Sequence, residues 1–286
     1  EIRGRFHFEI DPSVLAYTRI TDIGLAPTNE ASKVVFDSDV SIIRPVDSSK
    51  ISGNLLLDVV NRGNRVALPN FNMATRPDID KSTPIDVEVD LGDGLLMEMG
   101  YVVVACGWQL DAPSYEALIT MRGPEALDLS GSRLKDRIYM QLQSPEDTHN
   151  FLLSDKNHMP YEAHDLNEPD ALVEIRDMPD GPVESMPRDD WRFGRIDNDG
   201  DYQADPAYIC SNRGFEKGRL YQVSYTALGA PVIGLSFAAL RDCVSWFKYG
   251  SGTVDSPVHG IKRAYAYGRS QTGRFLRTVV HNDFNL

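Results

Sequence analysis

The run Tyr265-Ala266-Tyr267-Gly268-Arg269-Ser270-Gln271-Thr272-Gly273 sets a serine among glycines where a strand pattern gives way to a helical one. A serine hydroxyl becomes an acyl-directed nucleophile when a strained strand-to-helix turn lifts it clear of the backbone and a base takes its proton. Small residues two before and two or three after it let the two backbones pass. Gly268 lies two before Ser270, Thr272 stands where the common G-x-S-x-G pattern has its second glycine, and Gly273 comes next. A helix starting after Ser270 aims its free amides and positive dipole end at the place where a tetrahedral oxyanion would form. The Gln271 amide is therefore one candidate donor. A second comes from the loop Asn61-Arg62-Gly63-Asn64 after an earlier strand, through the amide of Arg62 or Gly63. Trp108, Gln109 and Asp111 follow another strand at its C-terminal end, where open sheets bind ligands, and read either as substrate-side residues or as loop packing. A tight turn or an anion nest is the bland alternative for the serine motif.

Such a serine needs an acid and a histidine, which in this arrangement come after it along the chain. The chain beyond Ser270 is only one helix long, and His281 lies about 16 Å along it at about 1.5 Å per residue, beyond hydrogen-bond reach. His7, His149, His158, His164 and His259 all precede the serine and read as loop histidines, with His158 and His164 in reach of a pocket if their segment caps the site. The expectation is that acid and base belong to a remaining C-terminal part of the same protein, a required partner, with no esterase turnover from this chain alone.

Other chemistries find less support. Asp197-Asn198-Asp199-Gly200-Asp201 invites calcium, yet Arg195 and Pro206 occupy the first and last ligand positions of the helix-loop-helix pattern, so a solvated acidic turn is expected. Cys106, Cys210 and Cys243 lack C-x-x-C spacing; no metal is expected, and a Cys210–Cys243 disulfide stays open. Neither G-x-G-x-x-G after a strand nor G-x-x-x-x-G-K-[ST] occurs, so no cofactor is expected. A formal charge of −13 without a basic stripe argues against nucleic acid and anionic membranes as partners. No run reaches the roughly 18 apolar residues of a membrane span. The start at Glu1 rather than Met fits a processed or engineered terminus; a removed signal peptide would place the protein outside the cell or in the periplasm.

The elements that must position these residues form three territories in 286 residues that are 42% hydrophobic and 25% charged, a composition able to bury a core. Residues 1–111 are strand-rich. Gly4–Ile10 alternates, whereas Leu55–Val60 and Tyr101–Ala105 are short, nearly continuous apolar runs suited to strands of a parallel sheet, with a short helix near Gly94 to Met99 between them. Residues 112–220 are rich in Pro, Asp and Gly and read as a small, mainly β insertion. Residues 221–286 return to α/β: Leu235 to Tyr249 carries an apolar stripe at spacings of three and four that Gly250-Ser251-Gly252 stops, before the strand and helix around Ser270.

Three segments in this order, Asp58–Asn64, Gly92–Asp111 and Tyr265–Arg277, resemble the large α/β-hydrolase domain family of bacterial serine esterase-like proteins; Asp170–Asp177 and Pro187–Trp191 resemble its inserted segment. The resemblance implies the front portion of an α/β-hydrolase fold, a mostly parallel sheet with a mainly β insertion, and Ser270 as nucleophile. The expected function is hydrolysis of a small carboxylic ester or related acyl compound. The alternatives are a catalytically silent binding or scaffold protein of that fold, or an acyltransferase.

Overall fold

The computed structural model describes residues 1–113, 115–155, 158–250 and 254–285. The chain divides into two compact units, Glu1–Pro124 with Pro231–Leu286, and Glu125–Ala230.

The first unit is built on one sheet. Strands β1 (Ile2–Ile10) and β2 (Val34–Ile43) pair antiparallel over their length, and β2 pairs antiparallel with β4 (Val102–Cys106). Next comes β3 (Asn54–Val59), parallel to β4, and then the strand Arg263–Tyr267, parallel to β3 with Tyr267 beside Asp58. Every residue of β4 is buried, as are Leu55 to Val59 in β3, because apolar layers cover both faces of these central strands. Between β3 and β4 the chain forms two short helices, α1 (Ala67–Phe71) and α2 (Leu95–Glu98); the prolines of the intervening segment leave it irregular. Helix α3 (Leu235–Tyr249) spans the apolar stripe, burying Leu235, Ala238, Ala239, Cys243 and Phe247, and ends at Gly250 with φ 67°. The expected stop residues Ser251 and Gly252 lie outside the described residues. Helix α4 (Gln271–His281) closes the unit and buries Thr272, Phe275 and Val279.

The second unit is antiparallel throughout its pairings. Glu184–Met186, Leu172–Arg176, Leu220–Leu228 and Lys135–Leu142 lie side by side, and Arg192–Phe193, Tyr208–Phe215 and Thr148–Leu152 form a smaller sheet. Leu220–Leu228 alternates strictly between buried and half-buried positions, and Phe193, Phe215, Tyr221 and Tyr225 fill the core it faces. This unit begins and ends C-terminal of the expected insertion.

The expected α/β-hydrolase fold with a mostly parallel sheet is not what forms. Strand accounts for 32% and helix for 18% of the chain, with four α-helices among the described residues and several small antiparallel sheets. In the main sheet the parallel pairings are those of β3 with its two neighbours, while β1, β2 and β5 (Met121–Arg122) pair antiparallel. The apolar runs reported burial on both faces correctly; burial does not encode the direction of the neighbouring strands. The three cysteines are free and buried, so the Cys210–Cys243 disulfide is absent.

Candidate active site

Ser270 stands between the strand Arg263–Tyr267 and α4, with φ 59° and ψ −118°. A residue bearing a Cβ is held there only when its surroundings dictate it, at a cost of about 1–3 kcal/mol. Those surroundings are explicit. The Thr272 hydroxyl, wholly buried at 0% exposure, accepts from the Arg269 amide at 2.7 Å and donates to the Arg269 carbonyl at 3.1 Å. The departure from the second glycine thus ties the turn from inside. Gly268 has no alternative, since a Cβ on it would lie 2.6 Å from the Thr272 carbonyl oxygen. The Ser270 side chain is exposed, and its Oγ meets no hydrogen-bond partner among the described residues.

Two elements supply amides nearby. Gln271 is the first residue of α4, where a helical amide has no intrahelical acceptor, and among the described residues its N–H meets none. The second element is the loop after β3. The Asn61 and Asn64 backbones bond to each other at 2.8 and 3.0 Å, and Arg62 and Gly63 take φ of 51° and 81° between them. Gly63 is forced by space as well, because a Cβ would lie 2.7 Å from Leu118 Cβ. Asn61 Nδ2 donates to the Arg269 carbonyl at 3.5 Å, and Arg269 Nη1 donates to Asn70 Oδ1 at 3.2 Å, so this loop and the serine turn are neighbours.

The structure separates the two loop candidates. The Arg62 amide is committed, donating to Gln109 Oε1 at 2.8 Å, whereas the Gly63 amide meets no acceptor among the described residues. Trp108 and Gln109, read from the sequence as substrate-side residues or as loop packing, bond to this loop and to the strand end before it. Gln109 is 5% exposed and donates through Nε2 to Asp111 Oδ1 at 3.4 Å. Trp108 donates from Nε1 to the Val60 carbonyl at 2.6 Å and stacks on Phe275 of α4, with ring centroids 4.0 Å apart. None of the three lines the cavity of about 600 Å³ that opens beside the loop, between Asn61–Val66 and the irregular segments 74–79 and 87–90.

Asp58 escaped the sequence reading. It is the penultimate residue of β3, at 0% exposure, and accepts from the amides of Val66 and Ala67, both at 3.0 Å, at the start of α1. Burial pushes its carboxyl up to about 6, against the opposing pull of those amides and of the Arg65 and Arg76 charges. Its signal was visible: one acid inside the run Leu55-Leu56-Leu57-Asp58-Val59-Val60 must be paired or capping.

No histidine bonds to Ser270 among the described residues. His281 ends α4, His7 pairs with Asp37 at 2.5 Å, and His149 Nδ1 faces the Ser211 carbonyl at 2.9 Å. The acidic turn is closed on itself: Asp197 Oδ1 accepts from the amides of Asp199 and Asp201, and the Asp201 amide above all lowers the Asp197 carboxyl. Among the described residues no cluster of three or more His, Cys, Asp or Glu side chains is placed to hold a metal ion, and no helix is long and apolar enough to cross a membrane. No protein-family model, curated protein or solved structure matches the chain.

Proposed function

We propose that this chain carries the nucleophile and oxyanion site of a serine hydrolase acting on a small carboxylic ester or related acyl compound. One observation carries the reading: an exposed serine locked in a sparsely populated backbone conformation at a strand-to-helix turn, beside two uncommitted amides. Ser270 Oγ attacks the acyl carbon and its proton passes to a base. The carbonyl oxygen becomes an oxyanion facing the amides of Gln271 and Gly63. Collapse expels the alcohol and leaves an acyl-serine, which water hydrolyses to the free acid. The cavity of about 600 Å³ is lined by Gly63 and its loop neighbours, which puts open space on the loop side of the turn.

A fluorophosphonate probe applied to the full-length protein tests the reading, with the modified residue located by mass spectrometry. Labelling on Ser270 that is lost in Ser270→Ala is expected; labelling that survives the substitution unchanged would overturn it. A second reading, a binding protein with a silent serine, draws on the absence of a histidine at Ser270 Oγ among the described residues. It predicts no labelling at all.

A further inference from the structure

The loop after β3 is held at both ends by side chains with no other evident task. At one end the buried Gln109 amide oxygen takes the Arg62 N–H; at the other the buried Asp58 carboxylate takes the Val66 and Ala67 N–H groups. Between them the Asn61 and Asn64 backbones bond to each other, and among the described residues the amides of Gly63 and Arg65 meet no acceptor, Gly63 being the one at the tip of the turn. The Arg62 and Val66 amides of this loop and the Ala67 amide that opens α1 are thus consumed by fixed acceptors, and the amide at the tip that is not so consumed is that of Gly63. We propose that Asp58 and Gln109 are positioning residues that clamp the Asn61–Val66 loop so that the Gly63 amide is offered to an oxyanion formed at Ser270, and that the charge on Asp58 makes this clamp pH-dependent. The consequence for catalysis rests on the serine-hydrolase reading; the clamp itself does not.

The chemistry behind the pH dependence is local. An ionised carboxylate accepts from both amides more strongly than a carboxylic acid, whose proton occupies one of its oxygens. The charged and titratable groups around it are few. Arg65 and Arg76 favour its ionised form, Arg65 being itself tied to Glu1, and Tyr267 is its neighbour in register on the adjoining strand. Asparagine at position 58 keeps an acceptor oxygen where both amides converge and has nothing to titrate.

Two measurements test this on the intact chain. In amide NMR spectra between pH 4.5 and 8, the Val66, Ala67 and Gly63 resonances should move together with a midpoint near the Asp58 value of about 6, and the movement should vanish in Asp58→Asn. In parallel, fluorophosphonate labelling of Ser270 should slow below that midpoint in the native chain, and this component should be missing from the pH profile of Asp58→Asn. Gln109→Leu should slow labelling about 10- to 100-fold, less than the loss for removing one oxyanion donor outright, and should leave the Asp58-dependent step of the pH profile in place. Loop amides that stay still while the Asp58 carboxyl titrates would overturn the clamp, as would an Asp58→Asn profile identical to the native one. If the full-length protein does not label, the serine reading fails alone and the amide titration decides the clamp.

Discussion

Replacing Ser270 by glycine should make the protein more stable, and replacing it by alanine should not. At φ 59° and ψ −118° a Cβ collides with its own backbone, and both serine and alanine carry that Cβ. The strain is worth about 1–3 kcal/mol. Glycine relieves it but adds freedom to the unfolded chain, costing about 0.5–1 kcal/mol. The exposed serine hydroxyl has no partner among the described residues, so its removal is close to neutral. The net expectation is a gain of about 0.5–2 kcal/mol for Ser270→Gly and a change within about 0.5 kcal/mol for Ser270→Ala. Denaturant unfolding of both variants, followed at α4 by hydrogen exchange and across the chain by circular dichroism, reads the difference directly. Equal slopes of free energy against denaturant are required for the comparison. A glycine variant less stable than the alanine variant would mean that the turn is not strained, and the main argument for Ser270 as a nucleophile would go with it.

Gly268→Ala should act in the opposite direction and cost about 3 kcal/mol or more, because its Cβ must fit 2.6 Å from the Thr272 carbonyl oxygen; a thermal midpoint within a degree of the native one would refute the close approach. Trp108→Ala should cost about 3 kcal/mol by emptying the stack on Phe275 and freeing the Val60 carbonyl, with a matching loss of Ser270 labelling in the folded fraction. For Asp58 the folded carboxyl sits at about 6 against an ordinary 3.8, so between those values the folded state keeps a proton that the unfolded chain has lost. Stability from this group is therefore complete below the lower value and falls as pH rises through the higher one, by about 3 kcal/mol in total. Subtracting the Asp58→Asn stability curve from the native one isolates this slope; a flat difference between pH 4 and 6.5 would show that the carboxyl is not perturbed.

Much of the serine turn was legible because steric rules act locally. Gly268, Ser270 and Gly273 announce a close passage of two backbones, and the stripe from Leu235 to Tyr249 announces a helix with one covered face. Thr272 was less transparent. Its size suggested mere tolerance, while its hydroxyl bonds both backbone groups of Arg269. Non-local facts stayed hidden: the run Val34–Ile43 says nothing about which way its neighbours point, and no spacing relates Gln109 to the Arg62 amide it accepts. Trp108 and Gln109 follow β4 as expected, but position at a strand end does not distinguish a residue that meets a ligand from one that props a neighbouring loop.

The strand leading into Ser270 is hydrogen-bonded to β3 on one side and forms the rim of its sheet, with Arg263, Tyr265 and Ala266 exposed, whereas β3 and β4 lie under cover. Marginal support and stored strain therefore coincide in one stretch of chain. Local opening should begin there, so Arg263–Tyr267 amides should exchange with solvent well before those of β3 and β4, and on heating the serine should lose its reactivity while the rest of the sheet is still intact.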